Sequence, residues 1–284
     1  MPIPADARFW LARALGLWRR GWASLRTRGL RASWARLRAQ FARRPAPTTV
    51  LWRPEPAPFA PFALATSGQP RASVVIPVHG AFPHTLACLR ALAAHPPAVP
   101  FEVIVVDDAS PDDTLARLGQ VAGVRVHARA TNGGFIAACN EGAALARGDW
   151  LVFLNNDTVP QPGWLDALLR TFDTQTDVGL VGAKLVYPDG RLQEAGGVVF
   201  ADGAGWNYGR GEDPADCRYA YLRDADYLSG AAIALPRTLF ERLGGFDMRY
   251  APAYYEDTDL AFALRAAGLR TLFQPAAVVV HDEG

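Results

Sequence analysis

Along the first fifty residues the large apolar side chains recur at helical spacing. Trp10, Leu11, Leu15, Trp18, Trp22, Leu25, Trp34, Leu37 and Phe41 follow this rule, and arginines fill much of the surface between them. The pattern predicts one or two amphipathic helices, interrupted near Gly29, as an arm over residues 1–44. Seven prolines among few charges between residues 45 and 70 predict a Pro-rich linker over 45–71 that crosses the surface in extended form. From Ser73 the pattern changes to short β-branched runs separated by amphipathic stretches. SVVIPV predicts a strand, His84 to Ala94 a helix, FEVIVVDD a strand, Asp113 to Val121 a helix, VRVHA a strand, Phe135 to Arg147 a helix and WLVFLNND a strand. This alternation implies parallel strands joined by right-handed helical crossovers, an α/β fold. A helix at Trp164 to Phe172 and the strand VGLVGAKLV come next. From Tyr187 to Asp226 the chain turns rich in Gly, Asp and Tyr, and long irregular loops facing a substrate are expected there. Regular structure returns with SGAAIALP, helices at Arg237 to Leu243 and about Thr258 to Ala267, and the strand AAVVVH.

Composition divides the chain further. Half of the 284 residues are apolar, enough for one full α/β core plus an appendage. The net charge of +1 hides an asymmetry, because residues 1–53 hold twelve Arg against the single acid Asp6. The arm is basic and the body acidic. A Trp- and Arg-rich helix face can lie on an anionic membrane, or it can pack on the body or on a second subunit, and both readings stay open. Cys88, Cys139 and Cys217 are too widely spaced for a metal or redox pair and are read as buried thiols of a reducing compartment. No run of about 18 apolar residues is present, and arginines interrupt the first twenty positions, so a cytoplasmic, non-spanning chain is expected. Peripheral contact with the inner face of the plasma membrane through residues 1–44 is the expected exception. A nucleic acid is not expected as a partner.

In an open parallel sheet, ligands bind beyond the carboxyl ends of the strands, where the crossovers leave a crevice. Here those ends carry Pro77 and Val78, Asp107 and Asp108, Asn155, Asn156 and Asp157, and lastly His281. Each has a plain alternative: Asp108 precedes the turn residues Ser110 and Pro111, and Asp157 precedes Pro160. Asp157 with His281 would suit a hard divalent ion, Mn²⁺ or Mg²⁺, bridging the phosphates of a nucleotide diphosphate. The stretch YYEDTDLAFALRAAG sets Glu256, Asp257 and Asp259 near a helix start, where capping explains one acid but not three. A dehydrogenase would need a GxGxxG turn after the first strand, which VIPVHGAFPHT lacks, and no P-loop is present. The pair Gly133 and Gly134 is too weak a signal on its own to indicate phosphate binding.

Taken together, SVVIPVHG, VIVVDDASPDDT, ATNGGFIAACNEGAALARGDWLVFLNNDT, LSGAAIALPR, LGGFDMRYAPAYYEDTDLAFALRAAG and VVVHDEG resemble the family 2 glycosyltransferases, in particular the bacterial rhamnosyltransferase-like members. The resemblance covers residues 72–283 and leaves the first 70 outside. It implies a GT-A fold over 72–284, a mostly parallel Rossmann-like sheet with helices on both faces. It further implies an inverting, metal-dependent transfer of a hexose or deoxyhexose from a nucleotide-sugar donor to a glycan or lipid-linked glycan acceptor, as in O-antigen-like polysaccharide synthesis. Under it Pro77, Val78, Asp107, Asp108, Asn132, Gly134, Asn155 and Asn156 become donor contacts, Asp157 and His281 metal ligands, and Asp257 the catalytic base beside Glu256. The family's DxD-type motif reads Asn155-Asn156-Asp157 here, with one carboxylate. A non-catalytic sugar-nucleotide-binding or scaffold domain is the alternative function. Similar proteins continue beyond the position of His281, so the chain reads as lacking acceptor-side elements or as a segment of a longer protein, and arm or tail can serve self-association.

Overall fold

The computed structural model describes residues 49–282. The expected arm over residues 1–44 lies outside the described residues. Residues 49–71 run along the surface of the body and are tied to it at several points. Trp52 and Gln161 exchange two hydrogen bonds, of 2.8 and 3.0 Å. The Arg90 guanidinium donates to the carbonyls of Ala57 and Pro58, and Phe59 meets Phe82 edge to face. The two-residue strand β1 (Phe62–Ala63) then pairs in parallel with a strand of the body described below.

The first half of the body follows the alternation: β2 (Ala72–Val78), α1 (Phe82–Ala94), β3 (Phe101–Asp107), α2 (Thr114–Leu118), β4 (Val121–Ala122), β5 (Val124–Ala128), α3 (Gly134–Ala144) and β6 (Trp150–Leu154). Helix α2 is shorter than its pattern predicts, because Val121 leaves the helix to pair with Phe62. Strands β2 and β3 are apolar without alternation because both faces are covered. Val74, Ile76, Val103 and Val105 enter one core with Leu89 of α1, whereas Val75, Ile104 and Val106 enter the other with Ile136 of α3. Successive side chains of a strand point to opposite faces, so one run feeds two cores.

The second half comprises β7 (Thr158–Pro160), α4 (Trp164–Thr174), β8 (Val178–Val186), β9 (Leu192–Glu194), β10 (Gly197–Val199), β11 (Gly205–Asn207), β12 (Arg223–Asp224), β13 (Ala232–Pro236), α5 (Arg237–Leu243), α6 (Glu256–Ala266) and β14 (Arg270–His281). The main sheet runs β12-β14-β8-β13-β6-β2-β3-β5. Strands β5, β3, β2 and β6 are mutually parallel, as are β8 and β14, but β13 is antiparallel to both β6 and β8. Two reversals restore the direction, so the carboxyl ends of β2, β3, β6, β8 and β14 share one edge, and β13 begins at that same edge. The segment from Tyr187 to Asp226 is more ordered than expected. It contains β9 on the main sheet and the β10–β11 hairpin, closed over the ring of Tyr227, where a Cβ on Gly197 would lie 2.1 Å from that ring.

Two further expectations are corrected. Helix α6 starts at Glu256 rather than Thr258, with Tyr255 preceding it at φ 72°, so its three acids all lie in the first turn. Cys217 is exposed; only Cys88 and Cys139 are buried, and burial pushes the Cys88 thiol up to about 12. Among the described residues no helix is long and apolar enough to cross a membrane.

Candidate active site

At the end of β2, Pro77 and Val78 are buried. Pairing of β2 with β6 stops at Val75, two residues before Pro77, which has no N–H to give to a ladder. The two strands part there and open the crevice. Beside them, at the end of β3, the neighbouring carboxylates Asp107 and Asp108 meet different surroundings. Asp108 is turned onto protein groups: it pairs with Arg129 and accepts from the amides of Gly133 (3.0 Å) and Gly134 (2.7 Å). These bonds hold the TNGGF turn at the strand end. Asp107 accepts from Ser110 N–H at 3.3 Å through one oxygen, and its Oδ1 is buried without a hydrogen-bond partner. Buried oxygens are rarely left so, which makes Asp107 the carboxylate at this strand end with capacity to spare. Arg129 carried no signal in the sequence, since an arginine two residues before a turn looks like any surface residue.

Asn132 accepts from Gly134 N–H at 3.0 Å and approaches His79 at 3.2 Å. Gly134 needs its left-handed φ of 82°, and a Cβ there would lie 2.6 Å from Pro252 Cβ. The TNGGF turn is thereby pressed against the loop that leads into Glu256 and Asp257.

Beyond β6, the three residues of the Asn-Asn-Asp motif diverge. The Asn155 Oδ1 is buried without a hydrogen-bond partner. Asn156 instead turns toward α1, donating to Thr85 Oγ1 at 3.1 Å, and so anchors the turn. The Asp157 Oδ1 lies 3.3 Å from Nε2 of the buried His281, and Asn155 Nδ2 lies 3.5 Å from the same nitrogen. Asp157 Oδ1 has no hydrogen-bond partner. The Asp157 carboxylate and the His281 imidazole nitrogen thus converge, with the Asn155 side chain beside them, a donor set that suits a hard divalent cation. Among the described residues no group of three or more His, Cys, Asp or Glu is gathered as a metal cluster, so protein ligands alone would leave such an ion with open positions.

Glu256 and Asp257 also part company. Asp257 accepts from Gly230 N–H at 3.0 Å and from Thr258 N–H at 2.6 Å, and burial raises its pKa above the ordinary 3.8. Glu256 is buried within electrostatic reach of the Cys139 thiol of α3, with Oε2 unpartnered, and desolvation pushes it up to about 7. The reversed strand β13 delivers Gly230 to this edge, and the next residue, Ala231, accepts from Asn155 N–H at 2.9 Å. The two residues Gly230 and Ala231 therefore link the Asp257 carboxylate to the motif that ends β6. Asp108, Gly134 and Pro252 touch in one group, Asp257 and Gly230 in a second, and Asn155, Asp157 and His281 in a third, with Ala231 joining the last two.

A sheet of this order, with acids at the strand ends and a histidine closing the last strand against Asp157, defines the class of GT-A sugar-transferring enzymes. Residues 73–226, more than half of the chain, match the glycosyl transferase family 2 profile, and the chain belongs to that family. It is similar to the O-antigen biosynthesis protein RfbC of Myxococcus xanthus, with 33% identity over 76% of this chain and 18% of that protein. It is also similar to the N-acetylglucosaminyl-diphospho-decaprenol L-rhamnosyltransferase of Mycobacterium tuberculosis, with 28% identity over 65% of this chain and 67% of that enzyme. This chain thus spans less than a fifth of the Myxococcus protein's length. The crystal structure of GalNAc-T7 with UDP, GalNAc and Mn²⁺ superimposes with a TM-score of 0.61 at 19% identity, over 76% of this chain and 44% of that one.

Proposed function

We propose that this enzyme transfers a hexose or deoxyhexose, with inversion, from a nucleoside diphosphate sugar to a hydroxyl of a glycan or lipid-linked glycan, as a step in O-antigen-like surface polysaccharide synthesis at the cytoplasmic side of the membrane. The observation that carries it is the placement of two unlike groups at one edge, a half-buried carboxylate held by Gly230 and a carboxylate-imidazole pair whose Asp157 Oδ1 has no hydrogen-bond partner. The names of the Myxococcus and Mycobacterium relatives support the polymer and sugar class.

In this reading Asp257 is the base. Its two oxygens are fixed by Gly230 and Thr258, and its raised pKa makes it a better proton acceptor than a solvated aspartate. Asp107 and Asp108 contact the nucleoside, with the TNGGF turn bordering the same crevice. Asp157 and His281 would hold Mn²⁺ or Mg²⁺, which would supply charge neutralisation for the departing diphosphate. Glu256 supports the helix start from within the core and does not touch the acceptor.

Asp257→Asn tests the assignment. Transfer from labelled nucleotide sugars should fall by about 10²- to 10⁴-fold, while calorimetric donor affinity stays within a few-fold. Turnover at the wild-type rate would remove Asp257 from its role.

A further inference from the structure

We propose that Gln193 is a positioning residue for the cation site: it accepts the Nδ1 proton of His281 and so turns the Nε2 lone pair toward Asp157 and Asn155. The inference rests on the reading of Asp157 and His281 as cation ligands. Two independent features of the fold carry it.

The first is the register. Leu192 pairs with Val186 and Glu194 with Leu185, so Gln193 is an extra residue opposite two consecutive positions of β8. Such a bulge re-aims a side chain that a regular ladder would send elsewhere. Val186 is also paired on its other side with Val280, the residue before His281. Strands β9 and β14 therefore flank the last residue of β8, and the bulge sends the Gln193 side chain across that end to the imidazole.

The second is the hydrogen bond. Gln193 Oε1 lies 3.1 Å from His281 Nδ1, and both side chains are buried. A neutral imidazole carries one N–H and one lone pair. With the amide oxygen accepting at Nδ1, the lone pair belongs to Nε2, the nitrogen that lies 3.3 Å from Asp157 Oδ1. That carboxylate oxygen has no donor of its own. Fixing the tautomer and ring plane in advance spares the site that ordering when an ion arrives, and partners of this kind are worth about 10- to 100-fold in metal affinity.

The next residue serves the other half of the site. Glu194 Oε1 accepts from Ser229 N–H at 3.0 Å, beside the Gly230 amide that holds Asp257. One three-residue strand thus touches His281 directly and holds the residue before the Gly230 amide that bonds the base.

The test is a titration of the full chain with MnCl₂ alone, followed by the electron paramagnetic resonance signal of free Mn²⁺, with His281→Ala defining the site. Gln193→Met keeps the volume and removes the acceptor; it should weaken Mn²⁺ binding by about 10- to 100-fold. Gln193→Glu can only accept from Nδ1 and should keep affinity within about threefold of wild type, a rescue that a packing role would not produce. Glu194→Gln, which alters the same strand on the base side, should leave Mn²⁺ affinity unchanged. Equal affinity in wild type and Gln193→Met, or equal loss in Gln193→Met and Gln193→Glu, would overturn the positioning role alone. Parallel loss in Glu194→Gln would do the same by exposing a fragile strand. Absence of His281-dependent Mn²⁺ binding in the wild type would instead overturn the cation reading together with this one.

Discussion

Replacing Glu256 by Gln removes a charge that the folded chain holds at a cost. The side chain is buried at the start of α6, its Oε2 has no partner, and desolvation moves its pKa from the ordinary 4.5 to about 7. A carboxyl raised in this way binds its proton more tightly when folded than when unfolded. Its favourable contribution is complete below the unfolded value and disappears as the pH climbs through the folded one. The difference corresponds to about 3 kcal/mol at about 1.36 kcal/mol per pH unit. Wild type and Glu256→Gln should therefore be nearly equal in stability at about pH 4, diverge between about pH 4.5 and 7, and differ by about 2 to 3 kcal/mol in favour of the variant at about pH 8. Urea unfolding followed by tryptophan fluorescence at several pH values measures the difference directly, and taking the difference cancels the titration of all other groups. A gap that stays constant with pH, or that favours wild type increasingly as pH rises, would refute the reasoning. The same comparison separates the two neighbouring acids, since Asp257→Asn acts on turnover.

Arg129→Met leaves Asp108 buried without its ion-pair partner; a loss of about 3 kcal/mol in unfolding free energy is expected, together with a raised donor KM as the TNGGF turn loosens. Melting at two salt concentrations checks that the pair is internal, because a buried pair is little screened and its loss should be nearly salt-independent. Gly134→Ala must adopt a φ of 82° and set a Cβ 2.6 Å from Pro252. The left-handed backbone alone costs about 1 to 2 kcal/mol. The variant should also lower kcat by displacing the loop before Asp257, and a variant with wild-type kcat would uncouple that loop from the turn.

Much of the first half of the fold was legible because its signals are local. Short apolar runs of β-branched residues, separated by amphipathic stretches, specify strand-helix alternation without reference to distant parts of the chain, and β2, β3, β5 and β6 appear where the pattern predicts them. The strand-end acids were legible for the same reason, since a run of apolar residues that ends in Asp107 or Asn155 announces where a strand meets solvent.

Three other features depended on distant partners. An apolar run such as AIALP has no mark of direction, so only pairing with β6 and β8 made β13 antiparallel and brought Gly230 to Asp257. Adjacent residues of like chemistry carry like local signals, so nothing in Asp107-Asp108, Asn155-Asn156 or the Glu256-Asp257 pair said which partners each would meet. Arg129, Thr85 and the Cys139 side of α3 decided that. The bulge at Gln193 arises from a mismatch between two strands and exists in neither one alone. Sequence by itself determined the types of element and the residues available at their ends, because those follow from nearest neighbours along the chain. Tertiary structure alone decided which of those residues have their hydrogen-bonding capacity consumed by the protein and which keep it free for a ligand, because that is a property of groups brought together from far apart.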